Sequence, residues 1–234
     1  MNIIMLGANS DIAKELTARF MVDGEAVHAW RRGERLPQIP WKHVICTIGV
    51  LDPIGKFFDL DAKAWEENLD SNALLPLRLL RELWPLRQRG ASVCFFSGAG
   101  VSRPAPTYSG YAASKTMLLK MTELLDDEYP EDKFFILGPG MVRTKIQQQT
   151  LDAGERADNY GRVKEFMESG DPIHGAGTSH DRIYACLKWC LKSPKEIIGG
   201  RNFYAPGLDW GPLMEHKLRM NRDLFKTRRF GGGL

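Results

Sequence analysis

Short apolar runs alternate along this chain with longer stretches whose apolar residues recur at helical spacing. That alternation constrains the fold more than any other feature, because it builds βαβ units around a mostly parallel sheet. The runs fall at residues 2–6, 25–30, 43–48, 92–96, 133–137 and 202–205. After the first, Ile12, Leu16, Ala18, Phe20 and Met21 mark a helix, and residues 61–89 read as a long helix interrupted by Pro76 and Pro85. Residues 109–129 carry Tyr111, Met117, Leu118, Met121, Leu124 and Leu125 on an amphipathic helix, and residues 182–191 read as another. Between the second and third runs, residues 31–41 hold two prolines and a glycine. Eleven residues are too few for a crossover to a parallel neighbour, which needs a dozen or more, so the sheet is expected to lack a strand and to have six.

With 234 residues, 43% of them apolar, and no repeat or linker, the chain reads as one doubly wound α/β domain. That domain covers residues 1–205, including a polar stretch at 145–178 expected to act as a lid, and a tail follows at 206–234. Lys and Arg number 32 against 29 for Asp and Glu, a balance of +3 that is too slight to call for nucleic acid. The opening run Ile3 to Leu6 has no basic flank and stops at Gly7, so neither a signal peptide nor a membrane span is expected. Cys46, Cys94, Cys186 and Cys190 lack paired spacing, which suits reduced structural thiols in a cytoplasmic protein and no metal site.

Four places carry candidate chemistry. The turn Gly7, Ala8, Asn9, Ser10, Asp11, Ile12 lies between the first strand and the first helix, where backbone N–H groups and a positive helix end can hold a dinucleotide's pyrophosphate. It keeps one glycine, and Asp11 stands where close backbone approach favours another, so a plain capped turn is an equal reading. Tyr111 and Lys115, four apart, share one helix face, and a neighbouring cation favours phenolate and is expected to lower the tyrosine pKa towards working pH. Ser97 closes the fourth run and should emerge at the carboxyl edge of the sheet, where open α/β folds bind ligands. Asn72 precedes Pro76 by four, so its carbonyl loses a helical N–H partner; the residues fit a water-holding carbonyl or a simple kink.

Ser97 followed by Gly98, Ala99 and Gly100, Tyr111 with Lys115, Asn72 on the preceding helix, and the run Pro139, Gly140, Met141, Val142, Arg143, Thr144 together resemble the short-chain dehydrogenase/reductase family. The resemblance implies a Rossmann-like fold, a homodimer or homotetramer, and hydride transfer between a nicotinamide cofactor and a small carbonyl or alcohol. It also implies roles. Tyr111 would be the acid or base and Lys115 would hold the nicotinamide ribose. Ser97 would polarise the carbonyl and Asn72 would anchor a proton-relaying water. Gly7, Asn9, Ser10, Asp11, Ile12 and Gly49, with Pro139, Gly140, Val142 and Thr144, would line the cofactor. Arg31 and Arg32 after the second strand favour NADP, with NAD the alternative.

The chain departs from the family in its depleted glycine turn and in Cys46, Thr47, Ile48, Gly49, where only Gly49 matches the usual Asn-Asn-Ala-Gly. Those departures motivate a second reading, a nucleotide-binding sensor of the same fold with impaired catalysis. His174 reads as a solvated loop histidine, and the polar lid leans towards a hydroxylated substrate. The basic tail, with Lys217, Arg219, Arg222, Lys226, Arg228 and Arg229 among Met214, Leu218 and Phe225, reads as a helix docking on a second subunit.

Overall fold

Strands buried on both faces read as unbroken apolar runs, and here successive residues feed two separate cores. Ile3 and Met5 of β1 (Asn2–Leu6) pack on one side of the sheet, and Ile4 and Leu6 on the other. The same division holds for β3 (Trp41–Cys46), β4 (Arg87–Phe96) and β5 (Lys133–Gly138). With β2 (Ala26–Trp30) and β6 (Asn202–Tyr204) they form a six-stranded sheet in the order β2-β1-β3-β4-β5-β6. Every pairing is parallel. The computed structural model describes residues 1–169, 177–207 and 210–227.

One face is covered by α1 (Asp11–Val22) and α7 (His180–Lys192), and the other by α3 (Leu75–Leu83) and α4 (Ser109–Glu128). Helix α1 starts where Ser10 accepts a hydrogen bond from the Ala13 N–H at 3.0 Å, and it buries Ala13, Leu16 and Phe20. Ala18 and Met21, expected on that stripe, face solvent. The long helix expected at 61–89 is three pieces: α2 (Ala62–Leu69), a π-helical turn over Asp70–Leu74, and α3. Proline has no N–H for the carbonyl four residues back, and the helix widens ahead of Pro76. It ends before Pro85, and β4 begins at Arg87, five residues earlier than its apolar run suggested. Gln88 and Arg89 are exposed there, so polarity hides the strand's start.

The polar stretch contains two helices, α5 (Lys145–Ala153) and α6 (Tyr160–Glu168). After the short helix α8 (Lys195–Ile198), the tail forms α9 (Pro212–Met220). That helix packs on this chain's own core: Met214 and Leu218 are buried, Leu224 and Phe225 rest against the same cluster, and the Asn202 N–H donates to the Phe225 carbonyl at 2.8 Å. An expected docking helix therefore packs on this chain, with Met214 and Leu218 in the same cluster as Phe203 and the Phe225 ring 6.0 Å from that of Phe203. Arg228 and Arg229, like His174, lie outside the described residues. Among the described residues no helix is long and apolar enough to cross a membrane, and no group of metal-binding side chains forms. All four cysteines are buried and free.

Candidate active site

The strand order reverses between β1 and β3, and ligands in doubly wound sheets sit in the crevice beyond the carboxyl ends at such a point. Helix α4 delivers Tyr111 and Lys115 to that edge. Gly110 lets α4 approach α2 closely, since a Cβ there would lie 3.0 Å from Asn68 Oδ1. Both side chains are buried, Tyr111 at 7% exposure and Lys115 at 2%. Lys115 Nζ donates to the Ile48 carbonyl at 2.9 Å, just past β3, and stands 5.6 Å from the centre of the Tyr111 ring.

The phenol does not become more acidic as the spacing suggested. Burial pushes it up to about 12, and burial also presses the Lys115 ammonium down to about 8. Desolvation prevails because the ammonium lies over the ring and is directed at a carbonyl, while the Tyr111 hydroxyl makes no hydrogen bond among the described residues.

Ser97 is at the expected strand end, but its hydroxyl donates to Asn202 Oδ1 at 3.2 Å across β5. Gly138 leaves room for that bond, since a Cβ there would lie 3.1 Å from Ser97 Oγ. What lies beneath the Tyr111 hydroxyl is Gly98, where any Cβ would collide with it. The role expected of Ser97 thus has no hydroxyl directed at the phenol. The π turn places Asn72 at 0% exposure. Its amide pairs with both backbone groups of Val50, each at 2.9 Å, and its Nδ2 also reaches the Asn68 carbonyl. Asn68 Nδ2 adds a bond to the Asp52 carbonyl at 2.6 Å. These two amides fix the segment that presents the Ile48 carbonyl to Lys115, and Asn72 acts on Lys115 through that segment.

At the turn, Gly7 has φ +88, and a Cβ would press on Ile48 N at 3.0 Å, so glycine is required. Ser10 bonds Thr47 Oγ1 at 2.8 Å, tying the turn to β3. The N–H groups of Asp11 and Ile12 have no acceptor among the described residues, whereas Asp11 Oδ2 accepts the Lys145 N–H at the start of α5, at 2.7 Å. Arg31 Nε donates to Asn9 Oδ1 at 3.2 Å and its NH1 pairs with Glu34, while Arg32 reaches Ser71 Oγ at 3.2 Å. Following β5, Gly140 adopts φ +75, Val142 is buried, and Thr144 precedes α5 without capping it.

Tyr111 shares a small apolar cluster with Leu51, Ile54, Tyr108, Ala153 and Ala157, against which Ala105, Ile146 and Tyr160 pack, so α5 and the start of α6 contribute to the same cluster as the phenol. The lid is polar outside and mostly apolar where it meets the phenol. Tyr108 Oη bonds Thr150 Oγ1 at 3.0 Å, and the Leu51 N–H donates to Gln149 Oε1 at 2.7 Å. Gly98, Asn68, Thr47 and Tyr108 were not among the site residues expected from sequence. Asn68, four residues before Asn72 on the same helix, carried the only spacing signal among them.

The family model for Enoyl-(Acyl carrier protein) reductase matches residues 41–204, and the chain belongs to the short-chain dehydrogenase/reductase family. Human Dehydrogenase/reductase SDR family member 4 is 26% identical over 127 residues, which are 53% of this chain and 46% of that protein. The chain spans about half the length of the curated relatives it matches. A small-chain dehydrogenase in complex with NADPH superposes with TM-score 0.73 at 18% identity, covering 90% of this chain and 97% of that one. A 4-hydroxyisoleucine dehydrogenase complexed with NADH gives 0.67 at 17%, covering 87% and 96%. Both likenesses are of fold.

A nicotinamide dinucleotide fits the residues present at one end of the crevice. Gly49 is bare of a side chain beside Lys115 and Asn72, where a Cβ would lie 3.7 Å from Nζ and 3.8 Å from Oδ1, and a ribose hydroxyl suits such a cradle. The Ile12 N–H and Thr144 hydroxyl suit a phosphate; Asp11, a carboxylate between them, does not.

Proposed function

We propose that this chain is an NAD(P)-dependent oxidoreductase that interconverts a small carbonyl compound and its alcohol, with Tyr111 as the acid or base. The observation that carries the reading is the burial of Tyr111 and Lys115 together at the carboxyl edge of the sheet, beneath a closed lid. A bound nicotinamide supplies or accepts the hydride. Lys115 would hold its ribose with the ammonium protons that Ile48 leaves free, and that hydroxyl together with the ammonium would bring the phenol's pKa down from its buried value. The space over Gly98 is taken by Tyr111 Oη itself and Gly98 brings no hydroxyl, so polarisation of the carbonyl would fall on Tyr111. The apolar inner face of the lid favours a substrate with small apolar groups next to its carbonyl, in place of the hydroxylated one suggested by the lid's composition.

NADP is the proposed cofactor. Arg31 is already paired with Glu34, so Arg32 is the better partner for a 2′-phosphate, with NAD the alternative. Four reduced, buried cysteines support a cytoplasmic setting. Exposed Leu74, Met117 and Leu124 support pairing with a second copy along α4. Titration with NADPH and NADH by nicotinamide fluorescence, followed by a screen of carbonyl compounds for cofactor oxidation, tests the assignment. Saturable binding with turnover is expected, and absence of binding would overturn it. A second reading is a nucleotide-binding sensor, favoured by Gly98 under the phenol and Asp11 at the phosphate turn; binding without turnover on any carbonyl class would select it.

A further inference from the structure

Asp11 is the first residue of α1, yet its carboxylate serves another helix. Its Oδ2 accepts the Lys145 N–H that opens α5, 134 residues away, at 2.7 Å. Helices α1, α2 and α7 are capped by their own Ser10, Asp61 and Ser179. Helix α5 has a suitable residue in Thr144, but that hydroxyl points back to the Val142 carbonyl at 3.4 Å and leaves the helix end to Asp11. Among the described residues, the N–H groups of Asp11 and Ile12 at the α1 end have no acceptor. Two positive helix ends therefore converge on one crevice that already holds a fixed negative charge.

We propose that Asp11 gates the cofactor site: its carboxylate stands in for a dinucleotide's pyrophosphate and latches the lid helix α5 until the cofactor displaces it. The proposal rests on the nicotinamide reading given above. A pyrophosphate brought to the Ile12 N–H meets a like charge one residue away, and both anions draw on the same helix ends. Binding then requires the Asp11–Lys145 bond to open, which releases the first turn of α5 for the incoming phosphate. Opening of the lid and entry of the cofactor are thereby coupled, and the coupling acts equally in both directions. The latch stands apart from the other lid contacts, Gln149 to Leu51 and Thr150 to Tyr108, which face the substrate side.

Two variants separate charge from latch. Asp11→Asn keeps the shape and an acceptor oxygen but removes the charge; Asp11→Ala removes both. In the full chain without ligand, amide hydrogen exchange at Lys145 is expected to quicken at least fivefold in Asp11→Ala. Fluorescence titration with NADPH and NADH is expected to give a Kd at least tenfold lower in both variants than in the unaltered protein. Inorganic pyrophosphate should displace NADPH from the variants at correspondingly lower concentration. If the unaltered protein binds NADPH and neither variant binds it more tightly, the gate is refuted and the proposed function stands. Unchanged exchange at Lys145 in Asp11→Ala refutes the latch. Absence of binding by all three proteins overturns both readings, and failure of Asp11→Ala to fold leaves Asp11→Asn to decide the charge effect.

Discussion

Tyr111 and Lys115 sit one helical turn apart, and burial acts on them with opposite sign. Tyr111→Phe is expected to lower turnover by roughly a hundredfold to ten-thousandfold, the ordinary worth of a general acid, while leaving nucleotide binding and thermal stability intact. For Lys115, the unfolded ammonium titrates near 10.5 and the folded one near 8, so below pH 8 the full cost of burying the charge, about 3 kcal/mol, is in place. As pH rises from 8 to 10.5 the folded state releases its proton first, and stability climbs. Tyr111 works against that trend only above pH 10, where the unfolded phenol ionises before the folded one. Urea midpoints should therefore rise between pH 8 and 9 and rise less in Lys115→Met, which should also be about 2 kcal/mol more stable at pH 7 but inactive. Above pH 9 the buried thiols of Cys46, Cys94 and Cys190, all pushed up by desolvation, pull stability down in both proteins. Buried His43 is held down to about 4 by desolvation, with Lys133 and Lys42 adding to it. The unfolded imidazole picks up its proton at 6.5 and the folded one only near 4, so stability should fall across that interval by up to about 3 kcal/mol, and His43→Gln should remove the fall. That Tyr111 and Lys115 share one helix face was legible from their spacing. Which residue lies under the phenol was not: spacing places Ser97 at the strand end, but the direction of its hydroxyl depends on Asn202, which is 105 positions away.

At the scale of elements, the π turn Asp70–Leu74 does the positioning that the sequence assigned to a proline effect. Pro76 signalled a break, but not that Asn72 would turn its amide onto both backbone groups of Val50. Those bonds are part-buried, and removing them leaves the Val50 N–H unpaired while its carbonyl keeps Asn68 Nδ2 at 3.2 Å. Asn72→Ala is expected to destabilise the protein by about 1–3 kcal/mol in denaturant titrations and to disturb the Lys115 titration that depends on the Ile48 carbonyl. The pH at which midpoints begin to rise is then the diagnostic readout, because a purely structural loss would leave it near 8. The lid helices were harder to foresee than the sheet. Helix α5 buries only Thr150 and Ala153, and so few apolar positions give a weak periodic signal even where the helix is well packed.

For the whole molecule, the six-stranded parallel sheet and the missing strand between β2 and β3 follow from the positions and lengths of the apolar runs. The tail does not, because a helix with a narrow apolar stripe looks the same whether it covers its own chain or another. Arg201 is one sign of its true place: it is 2% exposed and donates to the Leu218 carbonyl in α9 at 2.9 Å. Cutting the chain before Gly211 should uncover Phe203, Ile197 and Leu187 and give a protein that binds hydrophobic dyes or aggregates. The sheet itself has a kinetic consequence. With five pairings all parallel, no two neighbouring strands can be joined by a tight hairpin, and each register is set only after a long crossover has been laid down. Until then the bare apolar ribbons are open to other molecules, so the yield of recovered protein after dilution from denaturant should drop steeply as concentration rises, and a ligand that clasps the β1–β3 crevice should raise it.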